Sequence, residues 1–175
     1  GTFAGSGYSY TGALRILKVM LSYDYLWINI RVKGGAYGCM SGIGRSGEGY
    51  FVSYRDPEVK KSDDIYLGIP AYLENFEADE RTMTKYVIGT ISDIDTPLTP
   101  SLQGSRGLSA WYSGVTDEML KKEREETLNA TVEDIRALAP ITKAILETGA
   151  VCVVGNEDKI KADSEIFKEI KPLFA

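Results

Sequence analysis

The chain has 175 residues, 43% hydrophobic and 26% charged, a balance that fits a folded globular protein and excludes a disordered tail. Asp and Glu outnumber Lys and Arg by 25 to 20, for a net charge of -5, which argues against a nucleic-acid footprint. Histidine is absent, so a Ser-His-Asp triad, a Cys-His dyad and a His-ligated metal site are all excluded within these residues.

Residues 1–7, GTFAGSG, lack the basic and apolar regions of a signal peptide and read as a truncated or flexible edge. From Thr11 to Val32 the pattern is helical and apolar nearly all round. Arg15, Lys18, Ser22 and Asn29 form one polar stripe, while Asp24 and Arg31 fall on the face expected to be buried. Gly34-Gly35 ends this helix. Ala36 to Arg45 and Tyr50 to Arg55 read as two strands of a hairpin around Ser46-Gly47-Glu48-Gly49. Gly38, Gly42 and Gly44 share one face of the first strand, so something is expected to pack close to its backbone.

The remainder is mostly helical. Ser62-Asp63-Asp64 is expected to start a helix toward Phe76 with a break near Pro70, and Asp79-Glu80 opens another toward Asp93. The stiff TPLTP segment precedes a helix to Ser113; Gly114 stops it and Thr116 caps the next. Glu123, Glu125 and Glu126 in that helix read as a solvated charge run. Thr131 with Glu133-Asp134 caps a helix through about Glu147, Ala150 to Val154 reads as a short buried strand, and Asn156 opens a last helix reaching Lys171-Pro172. Cys39 and Cys152 both lie in apolar, strand-like runs and read as buried free thiols, with a disulfide between neighbouring strands the less favoured alternative. No eighteen-residue apolar run exists, so no membrane span is expected. The chain is expected to be one α+β domain, residues 1–175, with an antiparallel sheet packed against several helices.

The string YDYLWINIRVKGGAYG, Tyr23 to Gly38, resembles the C-terminal half of pitrilysin/insulinase-type zinc metallopeptidases, and within them the presequence-protease branch. The likeness continues through FVSYRDP, YLENF, IGTISDIDTPLTP and VVGNE. Other branches carry a glutamate-glutamine-leucine-glycine stretch where this chain has Val32 to Ala36. The resemblance implies the last of four related domains, whose partner is an N-terminal catalytic half that binds zinc through an inverted His-x-x-Glu-His motif. It also implies that Arg31 and Tyr37 reach the backbone of unfolded peptide substrates and stabilise the tetrahedral intermediate. Gly34, Gly35 and Gly38 would let an extended peptide approach the backbone closely, and a strand edge at Ala36 to Gly38 is expected to pair with the substrate main chain. The segment alone, having no metal ligands of that kind, is expected to be inactive.

Physical chemistry offers a plainer alternative. Arg31 near a helix C-terminus can simply pair with Asp24, and Tyr37 can be a surface tyrosine of a strand. In that case the chain is a non-catalytic peptide-binding or structural module. Neither nucleic acid nor membrane is an expected partner. Unpaired sheet edges favour self-association of the fragment, and a cytoplasmic setting is expected because nothing marks export, although an organelle address can lie upstream.

Overall fold

A computed structural model describes residues 1–173. The expected central helix is present as α1 (Ala13–Met20), which passes into two wider π-helical stretches, Leu21–Tyr25 and Trp27–Val32. Its apolar residues are enclosed from several sides: Ile16, Leu17, Met20, Leu21, Leu26 and Ile30 have no solvent exposure at all. Each such side chain contributes roughly 1.5–3 kcal/mol by leaving water, so this helix is the axis of the core. Helices α4 (Glu80–Ile94), α6 (Asp117–Leu128) and α7 (Val132–Arg136) pack along it.

The helix ends where Gly35 turns to a φ of 82°. The Gly35 N–H donates to the Arg31 carbonyl and the Ala36 N–H to the Ile30 carbonyl. Both bonds span one residue more than in the usual glycine cap, as the wider turns before them require. The chain then enters the antiparallel hairpin of β1 (Gly38–Ile43) and β2 (Gly49–Tyr54), which pairs Gly38 with Tyr54, Met40 with Val52 and Gly42 with Tyr50. Cys39 and Ser41 face the core, whereas Met40, Tyr50, Val52 and Tyr54 lie on an open face. The glycines of β1 sit opposite large side chains, and the Tyr50 ring covers Gly42 so closely that a Cβ there would stand 2.6 Å from it.

The stretch 1–7 is held at its start. The Gly1 amine donates to the Gly49 carbonyl and the Gly49 N–H returns a bond to Gly1, Thr2 bridges to Glu48, and Phe3 is buried. Downstream, α2 (Lys60–Leu67) begins before the expected Ser62. The Asp163 carboxylate, distant in sequence, accepts from the Lys60 N–H, while the Ser62 hydroxyl donates to Asp56. Gly68 and Pro70 divide α2 from α3 (Ile69–Glu74). Asp79 caps α4 and Thr116 caps α6, each accepting a backbone N–H at the expected point, and Thr99, within the stiff TPLTP segment, caps α5 (Pro100–Tyr112) in the same way.

Three expectations need correction here. The helix from Thr131 is two pieces, α7 and α8 (Ala139–Glu147), because Pro140 enters at the first turn of the second. Ala150 to Val154 is exposed and forms no strand. A strand exists through a ladder to a neighbour, and a groove of about 780 Å³ lies between this segment and the outer edge of β2. The final helix is only α9 (Glu157–Ala162), capped by Asn156 as expected but ended at Asp163, after which comes one 3-10 turn, Ser164–Ile166. Among the described residues the sheet therefore has two strands, not three, and the fold class remains α+β. No helix among the described residues is long and apolar enough to cross a membrane.

Candidate functional site

The π-helical turn Trp27–Val32 and the entry to β1 bring Arg31 and Tyr37 together on the surface. The Arg31 guanidinium carbon lies 4.6 Å from the centre of the Trp27 ring, one turn back, and 5.5 Å from that of Tyr37. These are cation–π contacts, which hold the guanidinium in place without neutralising it. Tyr37 is 64% exposed, and its backbone is fixed because its N–H donates to the Tyr54 carbonyl at 3.1 Å.

The pairing of Arg31 with Asp24 is not what the structure shows. Asp24 instead accepts a short hydrogen bond from the Tyr86 hydroxyl on α4. Burial, and then that bond to a carboxylate, raise the Tyr86 phenol well above its ordinary range. The arginines that do meet carboxylates are Arg15 and Arg45 with Glu123, Arg124 with Asp95, and Arg136 with Glu77. Among the described residues Arg31 forms no ion pair.

The remaining candidates are not equally accessible, and a Cβ at Gly34 would stand 2.4 Å from the Ile30 carbonyl oxygen of its own helix end. Gly34 is half-buried and Gly35 exposed at the helix end. Ala36 is buried, its N–H is occupied by the Ile30 carbonyl and that of Tyr37 by the Tyr54 carbonyl, so, contrary to expectation, these two donors are not offered to a substrate main chain. Gly38 has open space where a Cβ would stand, so the hairpin surface is flat there. Trp27, Tyr54 and Arg55 also belong to the cluster and were not singled out from sequence. Tyr54 meets Tyr37 edge to face at 6.0 Å, and the Arg55 guanidinium lies 5.4 Å from the Tyr54 ring and 5.9 Å from the Tyr37 ring. The signal available was the hairpin register: if Gly38 faces Tyr54, then Tyr37 must meet Tyr54-Arg55.

No group of three or more His, Cys, Asp or Glu side chains among the described residues is placed to hold a metal ion. These residues do not fit a zinc centre. Cys39 is buried but Cys152 is exposed, contrary to the expectation that both are buried, and both thiols are free. Glu123 is likewise not part of a solvated run: its side chain is 8% exposed and accepts from Arg15 at 3.0 Å and Arg45 at 2.5 Å.

Comparison with known proteins places the chain in a family context. A family model described as the PreP C-terminal domain matches residues 1–157. The chain is 48% identical over 171 residues to Protein HypA of Clostridium perfringens (strain 13 / Type A), covering 98% of this chain and 18% of that protein. It is 35% identical over 167 residues to Presequence protease 1, chloroplastic/mitochondrial, of Arabidopsis thaliana, covering 94% of this chain and 16% of that one. A mitochondrial presequence protease of Schizosaccharomyces pombe is 33% identical over 127 residues, 72% of this chain and 12% of its own length. The chain thus spans less than a fifth of the length of these relatives.

Proposed function

This chain belongs to the PreP C-terminal domain family of pitrilysin-type peptidases, and from that premise we propose that it is the last of four related domains of a zinc-dependent peptidase degrading short unfolded peptides. Arg31 and Tyr37 bind the substrate backbone and stabilise the tetrahedral intermediate; zinc belongs to an N-terminal half outside these residues, and the segment alone is inactive. The observation that carries this reading is an unpaired guanidinium 5.5 Å from the ring of an exposed tyrosine on an open hairpin face.

The chemistry follows from residue type. When a peptide carbonyl is attacked, negative charge appears on its oxygen. A phenol donates a strong hydrogen bond to that oxygen while staying neutral, and a guanidinium offers a fixed fork of donors with full charge. Donors already in position cost no reorganisation, and one such donor typically contributes about 10²–10³ in rate. Gly35 and Gly38 add no bulk beside the pair, so a substrate main chain can lie against the hairpin there.

In the full-length enzyme, Tyr37→Phe is expected to lower kcat roughly a hundredfold while KM changes by less than about threefold. Arg31→Lys is expected to cost a comparable amount, because an ammonium lacks the fork. Steady-state kinetics on a fluorogenic peptide measures both. Values within twofold of wild type for both variants would reduce this surface to a non-catalytic peptide-binding module.

A further inference from the structure

Arg55 is the one non-glycine residue among the described residues with a positive φ, at 48°. Side chains rarely adopt that conformation, and it persists only where the surroundings impose it. Here they do. On one side the Arg55 carbonyl accepts from the Tyr37 N–H at 3.3 Å. On the other, Asp56 is anchored by the Ser62 hydroxyl at 2.6 Å and the Glu58 N–H at 3.0 Å. The strained turn aims the Arg55 side chain back over β2, onto the rings of Tyr54 and Tyr37. Among the described residues it meets no carboxylate. The Tyr37 ring therefore lies within 6 Å of two guanidinium carbons that meet no carboxylate among the described residues, those of Arg31 and Arg55.

We propose that Arg55 is a specificity residue that binds a carboxylate of the peptide while Arg31 and Tyr37 engage the carbonyl being cleaved. The proposal rests on that reading of Arg31 and Tyr37 and adds a second subsite to it. Both guanidinium carbons lie within 6 Å of the Tyr37 ring centre, so they are at most about 12 Å apart, which is three to four residues of extended chain at about 3.3 Å each. A carboxylate within three residues of the scissile bond is then in reach. It has two sources, an Asp or Glu side chain or the free C-terminus of a short peptide. An arginine held over aromatic rings presents two parallel N–H donors to either, a bidentate match that a neutral amide cannot equal.

The test uses the full-length enzyme and matched fluorogenic peptides. One set carries Glu or Gln at each of the three positions on either side of the cleaved bond; the other ends in a free acid or an amide two residues beyond it. Wild type is expected to favour one acidic form over its neutral match by about fivefold in kcat/KM, mainly through KM, and the set that shows it identifies the source. Arg55→Gln should bring that ratio to about one, the loss appearing in KM for the acidic peptides, and Arg55→Lys should restore part of it. Arg55→Gly relieves the backbone and should lose the ratio equally, which separates charge from folding. Equal use of acidic and neutral peptides by wild type, or a ratio that survives in Arg55→Gln, overturns the proposal. The failure of the Arg31 and Tyr37 reading looks different: Tyr37→Phe would then leave kcat unchanged on every peptide, whatever the ratio.

Discussion

Arg31 is free to act because its neighbours are otherwise engaged. Asp24 bonds to Tyr86, and Trp27 lies under the guanidinium without taking its charge. Cys39 shows the same neighbourhood from within: burial pushes its thiol up, and the charge of Arg31 partly opposes that. A thiol that is buried and protonated reacts slowly, whereas an exposed one is open to reagent. One thiol per chain, that of Cys152, is therefore expected to react with a disulfide reagent within minutes under native conditions, and Cys39 only after denaturant is added. Absorbance titration with and without Cys152→Ser checks this, and two fast thiols in the native chain would contradict the burial of Cys39.

Elements far apart in sequence are joined by Glu123. From α6 it accepts Arg15 of α1 and Arg45 at the end of the hairpin, so one carboxylate ties three elements together. Burial alone would push its carboxyl up, but hydrogen bonds from Arg45 and Arg15 outweigh that and hold it below its ordinary range. Removing a charge of this kind leaves two partners uncompensated. With both arginines partly exposed, Glu123→Gln is expected to cost about 2 kcal/mol, between the surface and buried cases, or about 4–8 °C in Tm. The pH dependence has a definite sign. The folded pKa is depressed, so the unfolded chain takes the proton first; the stabilisation is complete above the unfolded value of about 4.3 and disappears as pH falls through the folded one. Urea melts at pH 7 and in acid should show the gap between wild type and Glu123→Gln closing in acid. A gap that is constant with pH would mean the carboxylate is not what matters.

Across the molecule, the outer edge of β2 is open. Gly49 meets Gly1 through both its backbone groups, and by the two-residue alternation of an antiparallel ladder Phe51 and Ser53 direct theirs to the same side. That side is the groove facing Ala150–Val154. Met40, Tyr50, Val52 and Tyr54 are exposed beside it. An unblunted edge next to apolar surface recruits another chain. The isolated 175-residue chain is expected to self-associate with rising concentration, and Val52→Lys, which puts a charge on the open face without touching the core, to suppress it. Light scattering over a concentration series decides, and a chain that stays monomeric at high concentration would mean that the edge is protected.

Local chemistry alone determined much of this molecule. The apolar run from Thr11 to Val32 has no polar side wide enough for the surface, so it had to be central; Asp79, Thr116, Thr131 and Asn156 had to cap the helices they precede; and the glycines after Val32 had to end one. Arg31 and Tyr37 were identified by their resemblance to a family motif, since spacing by itself left the bland pairing with Asp24 open. Interactions between distant residues were decided by tertiary structure. The start of α2 depends on Asp163, more than a hundred residues away. Glu123 reads as one of a charged run until α1 and the hairpin deliver two arginines to it. Ala150 to Val154 has the composition of a strand, but strand formation is a property of a pair of segments, and β2 lies across a groove from it. Arg55 became visible only through its φ and the rings beneath it, because backbone strain is imposed by the fold around a residue and leaves no mark on the residue's own type.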